Sequence, residues 1–166
     1  MSYFAAALAR TEQGWTGREL DLDEHADLDA LTDELRDLTG DGPGPALMLL
    51  EENDEYVGVL RVDGGTSSLD EPRVFLSDRR AVQGSDVAAM LWEEAPDGEA
   101  EPDDDDEGTR PIAEPVGDTA LLSDLGTAPD DLLDLCAEEG LLPADVLTGI
   151  AERAGCLDVL DGLRGE

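Results

Sequence analysis

The stretch ALMLLEENDEYVGVLRV, at residues 46–62, decides the fold class because it contains two apolar runs on either side of a short polar turn. Residues 46–52 are predicted to form a buried strand, residues 53–54 (Asn-Asp) a turn, and residues 56–62 the returning strand. A connection of hairpin length allows the two strands to pair only in the antiparallel sense. The stretch therefore predicts an antiparallel sheet.

The residues before this hairpin add two strands and a helix. Residues 3–9 are largely apolar, which predicts a strand that is covered on both faces, and residues 15–22 predict a second strand. In the following segment leucines recur at helical spacing with acidic residues on the opposite face, which predicts an amphipathic helix. The predicted inward positions are Trp15, Leu20 and Leu22 in the strand and Leu28, Leu31, Leu35 and Leu38 in the helix.

The residues after the hairpin complete a first structural unit. Residues 73–77 predict a further strand and residues 86–92 a short helix. The predicted order over residues 1–92 is β-β-α-β-β-β-α. Because the links between strands are short, this order indicates an α+β fold, an antiparallel sheet with helices on one face.

A change of composition divides the chain. Residues 93–118 are rich in proline, glycine and acidic residues, with four consecutive aspartates at 103–106. Such a segment can bury too little apolar area to offset the entropy that it would lose on ordering. We expect a flexible acidic linker here, between a sheet domain at residues 1–92 and a helical C-terminal region at residues 119–166.

The helical C-terminal region carries the apolar positions that best fit a partner-binding surface. Pro129 and Pro143 stand in the first turns of two predicted helices, and Gly155 ends the second. A region of this size forms only a marginal core, so it either docks on the sheet or contributes to a partner interface. Docking within the chain costs less entropy than association. The candidate partner-binding residues are Leu132, Leu133, Leu135, Val146, Leu147 and Ile150.

The net charge of −33 restricts the class of partner. It arises from 43 acidic residues against 10 basic ones, all of them arginine. Such a surface repels nucleic-acid phosphate and anionic membranes, so neither is expected as a direct partner. It attracts basic patches on other proteins and speeds the encounter with them. Genome composition or adaptation to salt is the alternative explanation of the charge.

The sequence contains no recognisable motif for catalysis, a cofactor or a metal. His25 is the only histidine, and it is predicted to be a solvated loop residue because no nucleophile lies near it in the sequence. Cys136 and Cys156 are predicted to be buried reduced thiols. At residues 103–114 the acidic residues are spaced as in an EF-hand calcium loop. A proline lies inside this segment and no helices are predicted on either side of it, so a calcium site is not predicted. No catalytic residue, cofactor or metal is therefore predicted.

Several parts of the chain resemble one protein family. Residues 1–6 (MSYFAA), 72–78 (PRVFLSD), 142–147 (LPADVL) and 151–156 (AERAGC) are similar to the tRNA adenosine deaminase-associated proteins of high-GC Gram-positive bacteria. The family takes its name from a gene that lies beside the gene for the enzyme acting on adenosine at the tRNA wobble position. The resemblance implies association with that process and carries over no catalytic residue. The chain lacks the HxE and PCxxC zinc signature, so it is not the deaminase itself.

These observations predict a non-enzymatic accessory that binds a protein partner, which the resemblance suggests is tRNA adenosine deaminase. One alternative is a small regulatory module that binds a ligand. Another is an uncharacterised enzyme that uses acidic residues together with arginines near the strands. No membrane span or targeting segment is predicted, so a cytoplasmic location is expected. The arginines that either bind an anion or pair with the surplus acids are Arg61, Arg73, Arg79 and Arg80.

Overall fold

A six-stranded antiparallel sheet forms the centre of the protein in the computed structural model. The spatial order of the strands is β2-β1-β3-β4-β5-β6, and every neighbouring pair is antiparallel. The strands are β1 (Tyr3–Thr11), β2 (Gly14–Glu19), β3 (Pro45–Glu52), β4 (Tyr56–Asp63), β5 (Arg73–Leu76) and β6 (Val116–Gly117). The structure describes residues 3–21, 28–39, 45–52, 56–63, 73–78, 88–89, 91, 116–137 and 142–163.

The hairpin predicted at residues 46–62 is confirmed. It consists of β3 and β4, in which Glu52 lies opposite Tyr56 and Ala46 lies opposite Val62. The α+β class is confirmed as well, and the predicted order of elements agrees with the order that is observed. The antiparallel pairing follows directly from the short connection between the two apolar runs.

Both faces of the sheet are covered, which explains why β1 and β3 are apolar at nearly every position. The helix α1 (Leu28–Thr39) packs against one face, here called the α1 face, together with Ala88 and Leu91 from the segment predicted to be a short helix. Residues Ala88, Ala89 and Leu91 are indeed helical. The side chains of Leu31 and Leu35 are fully buried on this face, and burial of each contributes about 2 kcal/mol.

The opposite face is covered by the C-terminal helices. These are α2 (Pro129–Ala137), α3 (Pro143–Ala154) and α4 (Leu157–Leu163). The sequence predicted helices on one face only, and the structure places them on both because the C-terminal region supplies a second helical layer. Pro143 begins α3 and Gly155 ends it with φ +88°, as the sequence predicted.

The sheet extends further along the chain than the sequence indicated. Val116 and Gly117 form β6 and pair with Leu76 and Phe75 of β5, although the proposed linker was drawn as far as residue 118. Gly117 has φ +104°, and a Cβ atom at this position would collide with the carbonyl oxygen of Val74. Residues 93–115, which include the run of aspartates, lie outside the described residues.

Candidate partner-binding surface

The six candidate partner-binding residues divide into two groups in the structure. Four of them are at most 4% exposed and lie in one apolar cluster with Leu47, Leu49, Val57 and Val59 of the sheet. Leu133 and Leu135 are only partly buried at the margin of the same cluster. The four buried residues therefore stabilise the chain's own core, and they are Leu132, Val146, Leu147 and Ile150.

The margin of the C-terminal helical layer retains apolar surface. Leu142, immediately before α3, is 53% exposed and is the one large apolar side chain that is exposed within the described part of the chain. Leu135 of α2 packs towards Gly149 of α3, at 3.4 Å from the position that a Cβ atom would occupy there. Exposed acidic residues occur in the same two helices, at Asp130 and Asp134 in α2 and at Asp145 in α3. These leucines and acidic residues are together called the α2–α3 margin.

Two contacts connect the helical layer to the edge strand β2. The indole Nε1 of Trp15 donates a hydrogen bond of 3.1 Å to the carbonyl oxygen of Ala154, at the end of α3. At Gly17, a Cβ atom would approach Val159 of α4 to 2.9 Å and Leu8 of β1 to 2.6 Å. Because the position has no side chain, α4 can lie close against the strand.

Arg61 joins β4 to the segment that precedes α2. Its side chain is 6% exposed, and its guanidinium forms two hydrogen bonds to the carboxylate of Asp124, one of 2.8 Å between Nη2 and Oδ2. The same guanidinium donates to the carbonyl oxygen of Leu121. The hydrogen bond from Arg61 holds the pKa of Asp124 below its ordinary value.

A second arginine binds the same segment from the neighbouring strand. Arg73 lies opposite Arg61 in the β4–β5 ladder, and its Nε donates to Oδ2 of Asp118 at 2.7 Å. Its Nη2 donates to the carbonyl oxygen of Ala120 at 3.3 Å. Two of the four arginines considered for anion binding are thus paired with carboxylates of this chain, while Arg79 and Arg80 lie outside the described residues.

Both cysteines are thiols in an apolar environment. Burial raises the pKa of Cys156 and of Cys136 to about 11. Neither forms a disulfide. The sulfur atoms are therefore protonated at neutral pH and poor nucleophiles.

The described residues contain no group of three or more His, Cys, Asp or Glu side chains that could hold a metal ion. None of the helices in the described segments is long and apolar enough to cross a membrane. His25 and the calcium-like spacing at residues 103–114 lie outside those segments, so their predicted roles stay predictions.

An open depression of about 350 Å³ lies at the end of the edge strand. The hydroxyl of Tyr3 donates a hydrogen bond of 3.2 Å to the carboxylate of Asp21 beside it. Carboxylates on one side suit this depression to a cationic group rather than to an anion. Its lining residues are Tyr3, Ala5, Glu19, Leu20 and Asp21.

Comparison with known proteins gives one informative result. No curated protein and no solved structure matches the chain. A protein family matches over residues 3–157, which include every strand, α1, α2 and α3, and it is described as Rv3753c-like tRNA adenosine deaminase-associated protein. Since the match covers nearly all of the 166 residues, the chain belongs to this family of tRNA adenosine deaminase-associated proteins.

Proposed function

We propose that this protein is a non-enzymatic accessory that binds tRNA adenosine deaminase. The observation that carries the proposal is family membership over residues 3–157, because the family is described by association with the deaminase and not as the deaminase itself. The sequence contains a single histidine and no PCxxC pair, so it cannot build the zinc centre on which nucleobase deamination depends.

The charge of the chain supports a complementary partner. An enzyme that binds tRNA must present cationic side chains to phosphate. A chain with net charge −33 is attracted to such a surface, and long-range attraction speeds the encounter. Bound there, the accessory would compete with tRNA for the same cations.

Affinity needs apolar contact in addition to charge. Of the six candidate residues, Leu133 and Leu135 are the ones that a partner could reach without separating the helices from the sheet. They lie two positions apart on α2 and so point to different sides of the helix, and the exposed Leu142 supplies a third apolar side chain. Exposed carboxylates at Asp130 and Asp134 lie on the same helix. We propose this margin as the contact surface for the deaminase.

The alternative of an enzyme or module that binds an anion through Arg61 and Arg73 is disfavoured by their contacts. Each guanidinium is held by a carboxylate, Asp124 or Asp118, and by a backbone carbonyl. An anion would have to displace a charged partner that is tethered in the same chain, which is an intramolecular competitor at high effective concentration.

The test is a titration of the purified protein against purified tRNA adenosine deaminase from the same organism, followed by size-exclusion chromatography at low and high ionic strength. We expect a complex at tens of micromolar that weakens as salt screens the charges and dissociates when tRNA is added. The absence of a complex at low ionic strength would remove the deaminase as a direct partner.

A matched pair of variants locates the surface. Leu142→Ser removes an apolar side chain of the margin and is expected to weaken the complex about tenfold, which is the low end of the about 1.5–3 kcal/mol that burial of a leucine contributes. Gln13→Ser changes an exposed, uncharged residue of the turn between β1 and β2, which belongs to neither the α2–α3 margin nor a helix, and serves as the control. Equal affinities for both variants would exclude the margin and leave the complex itself intact.

A further inference from the structure

Among the described strands, the outer edge of β2 has no neighbour. β2 is an end strand of the sheet, and β1 is its only partner among the described strands. The N–H of Leu20 donates to the carbonyl oxygen of Ala5 at 2.8 Å, so the even-numbered residues of this ladder exchange hydrogen bonds with β1. In an antiparallel pair the intervening residues direct their N–H and C=O groups the other way. Those residues are Trp15, Gly17 and Glu19.

The described part of the chain provides no backbone partner for these outward groups, because no backbone hydrogen bond joins them to another of its segments. The hydrogen bond from Trp15 to Ala154 uses the indole and leaves the backbone groups of Trp15 unengaged. The strand is also accessible, because Thr16, Arg18 and Glu19 are exposed. It contains no proline, and the Arg18 guanidinium is drawn towards Glu34 of α1. An accessible row of unpaired backbone groups is a template for another strand.

The net charge of the chain determines which kind of segment could pair with the edge of β2. A second copy of the chain also carries −33, and repulsion between the copies opposes pairing of one β2 with another. A segment with lysine or arginine is attracted instead. The depression of about 350 Å³ lies at the end of β2, where the Glu19 and Asp21 carboxylates line it, so it can receive one basic side chain of such a segment.

We propose that the edge of β2 binds an extended, Lys- or Arg-bearing segment of a partner protein by strand addition. The backbone groups of Trp15, Gly17 and Glu19 supply hydrogen bonds to the added strand. A basic side chain at the end of that strand enters the depression and meets the two carboxylates. The site is independent of the α2–α3 margin, so it goes beyond the proposed function and holds whether or not the partner is the deaminase.

The test uses a ten-residue peptide of alternating lysine and valine, and hydrogen exchange of individual amides followed by NMR. With the peptide at tenfold excess over its Kd, about one tenth of the protein is free, so exchange at Trp15, Gly17 and Glu19 should slow about tenfold. Thr16 and Arg18, which already bond to β1, should not change. Binding without protection of the three outward amides would overturn strand addition.

Two control peptides separate the contributions. A peptide of the same charge with alternate amides N-methylated cannot form the ladder, and a glutamate–valine peptide has the wrong charge. Neither should bind measurably at the concentration that saturates the first peptide. If the methylated peptide bound equally well, electrostatic attraction alone would explain the binding, and the proposal of strand addition would be overturned. Protection of the outward amides that grows with protein concentration, without peptide, would assign the edge to a second copy and also overturn it.

Variants test the same site from the protein side. Glu19→Pro removes one outward N–H and leaves the inward ladder intact, since proline is tolerated at a strand edge, and it should abolish binding. Glu19→Gln keeps the backbone and should weaken binding about threefold, the effect of one exposed charge. Asp37→Asn removes an exposed charge from α1, away from both proposed binding surfaces, and should have no effect. A binding loss of the same size in Asp37→Asn would contradict the assignment.

Discussion

The indole of Trp15 and the backbone carbonyl of Ala154 are joined by a hydrogen bond of 3.1 Å across 139 positions of the sequence. The bond connects the edge strand β2 to the last turn of α3, where carbonyl groups have no partner within the helix. It thereby ties the N-terminal hairpin to the C-terminal helical layer. The two ends of the chain stabilise each other.

This bond predicts a measurable loss of stability in Trp15→Phe. The variant keeps an aromatic ring but removes the N–H donor, which leaves a partly buried carbonyl without its partner. We expect the free energy of unfolding in urea to fall by about 1 kcal/mol. Thr11→Val, which removes an exposed hydrogen bond to the carbonyl oxygen of Gly14, should cost less. A larger loss in the Thr11 variant would contradict the importance of the indole bond.

Two glycines should respond in opposite directions to replacement by alanine. At Gly17 a Cβ atom would lie 2.6 Å from Leu8 and 2.9 Å from Val159, so Gly17→Ala should destabilise the protein by about 1–3 kcal/mol through overpacking. At Gly162 in α4 nothing lies within 4 Å, so Gly162→Ala should stabilise it by about 0.5–1 kcal/mol through helix propensity. Midpoints of urea unfolding decide both. Two shifts of the same sign would be inconsistent with the close packing of α4 on β2.

The sequence predicted the strands of the sheet better than it predicted where the C-terminal helices pack. The hairpin at residues 46–62 could be predicted because two hydrophobic runs joined by a short turn can pair only in the antiparallel sense. The helix α1 was readable because its leucines recur at helical spacing. The two-residue strand β6 was missed because a segment of that length has no periodicity to detect.

The contacts that hold the helical layer depend on which residues meet in space. The sequence left open whether the tail docks on the sheet, and the structure buries Leu132, Val146, Leu147 and Ile150 against it. It also left open whether the arginines bind an anion or pair with acids. Asp118 and Asp124 could not be recognised as the partners of Arg73 and Arg61 because they are two of 43 acidic residues. Because all acidic side chains have the same chemistry, the sequence does not indicate which of them pairs with a given arginine.

The ion pair between Arg61 and Asp124 predicts a stability difference that depends on pH. Asp124→Asn should cost about 1–2 kcal/mol at pH 7, less than a fully buried pair because the aspartate is 63% exposed. The folded state lowers the pKa of Asp124, so its contribution is present above the ordinary value of 3.8 and is lost as pH falls through the folded value. The difference between wild type and variant should therefore shrink below about pH 4.

The control for this pair is Asp131→Asn. Asp131 binds Arg153 at 3.1 Å, and both side chains are more than one third exposed. Such a pair contributes little, so the variant should change the free energy of unfolding by less than about 0.5 kcal/mol. The stability lost in Asp124→Asn could prove independent of pH, or Asp131→Asn could lose an equal amount. Either result would mean that burial of Arg61 does not strengthen its ion pair with Asp124.

The raised pKa values of the cysteines predict slow alkylation. With pKa values of about 11 for Cys136 and Cys156, the thiolate fraction at pH 8 is on the order of 0.1%. Iodoacetamide should label the folded protein slowly and the protein in guanidinium rapidly, as mass spectrometry would record. Cys136 should react before Cys156, because it is the less buried of the two. Fast labelling of Cys156 in the folded protein would place it outside the core.

Cleavage within the acidic segment should leave a protein whose two parts stay together. The composition of residues 93–118 predicts a flexible linker, and the structure places Val116 and Gly117 of that range in β6. Limited digestion with a glutamate-specific protease should therefore cut first within residues 93–115. The C-terminal part should nevertheless remain bound, because α3 and α4 bury Leu147, Ile150 and Leu160 against the sheet. Size-exclusion chromatography should show one peak at the uncut volume, and denaturing gels two fragments. Separation of the fragments under native conditions would mean that the helical layer does not hold to the sheet by its own contacts. Early cuts at other sites, with residues 93–115 intact, would contradict the proposed linker.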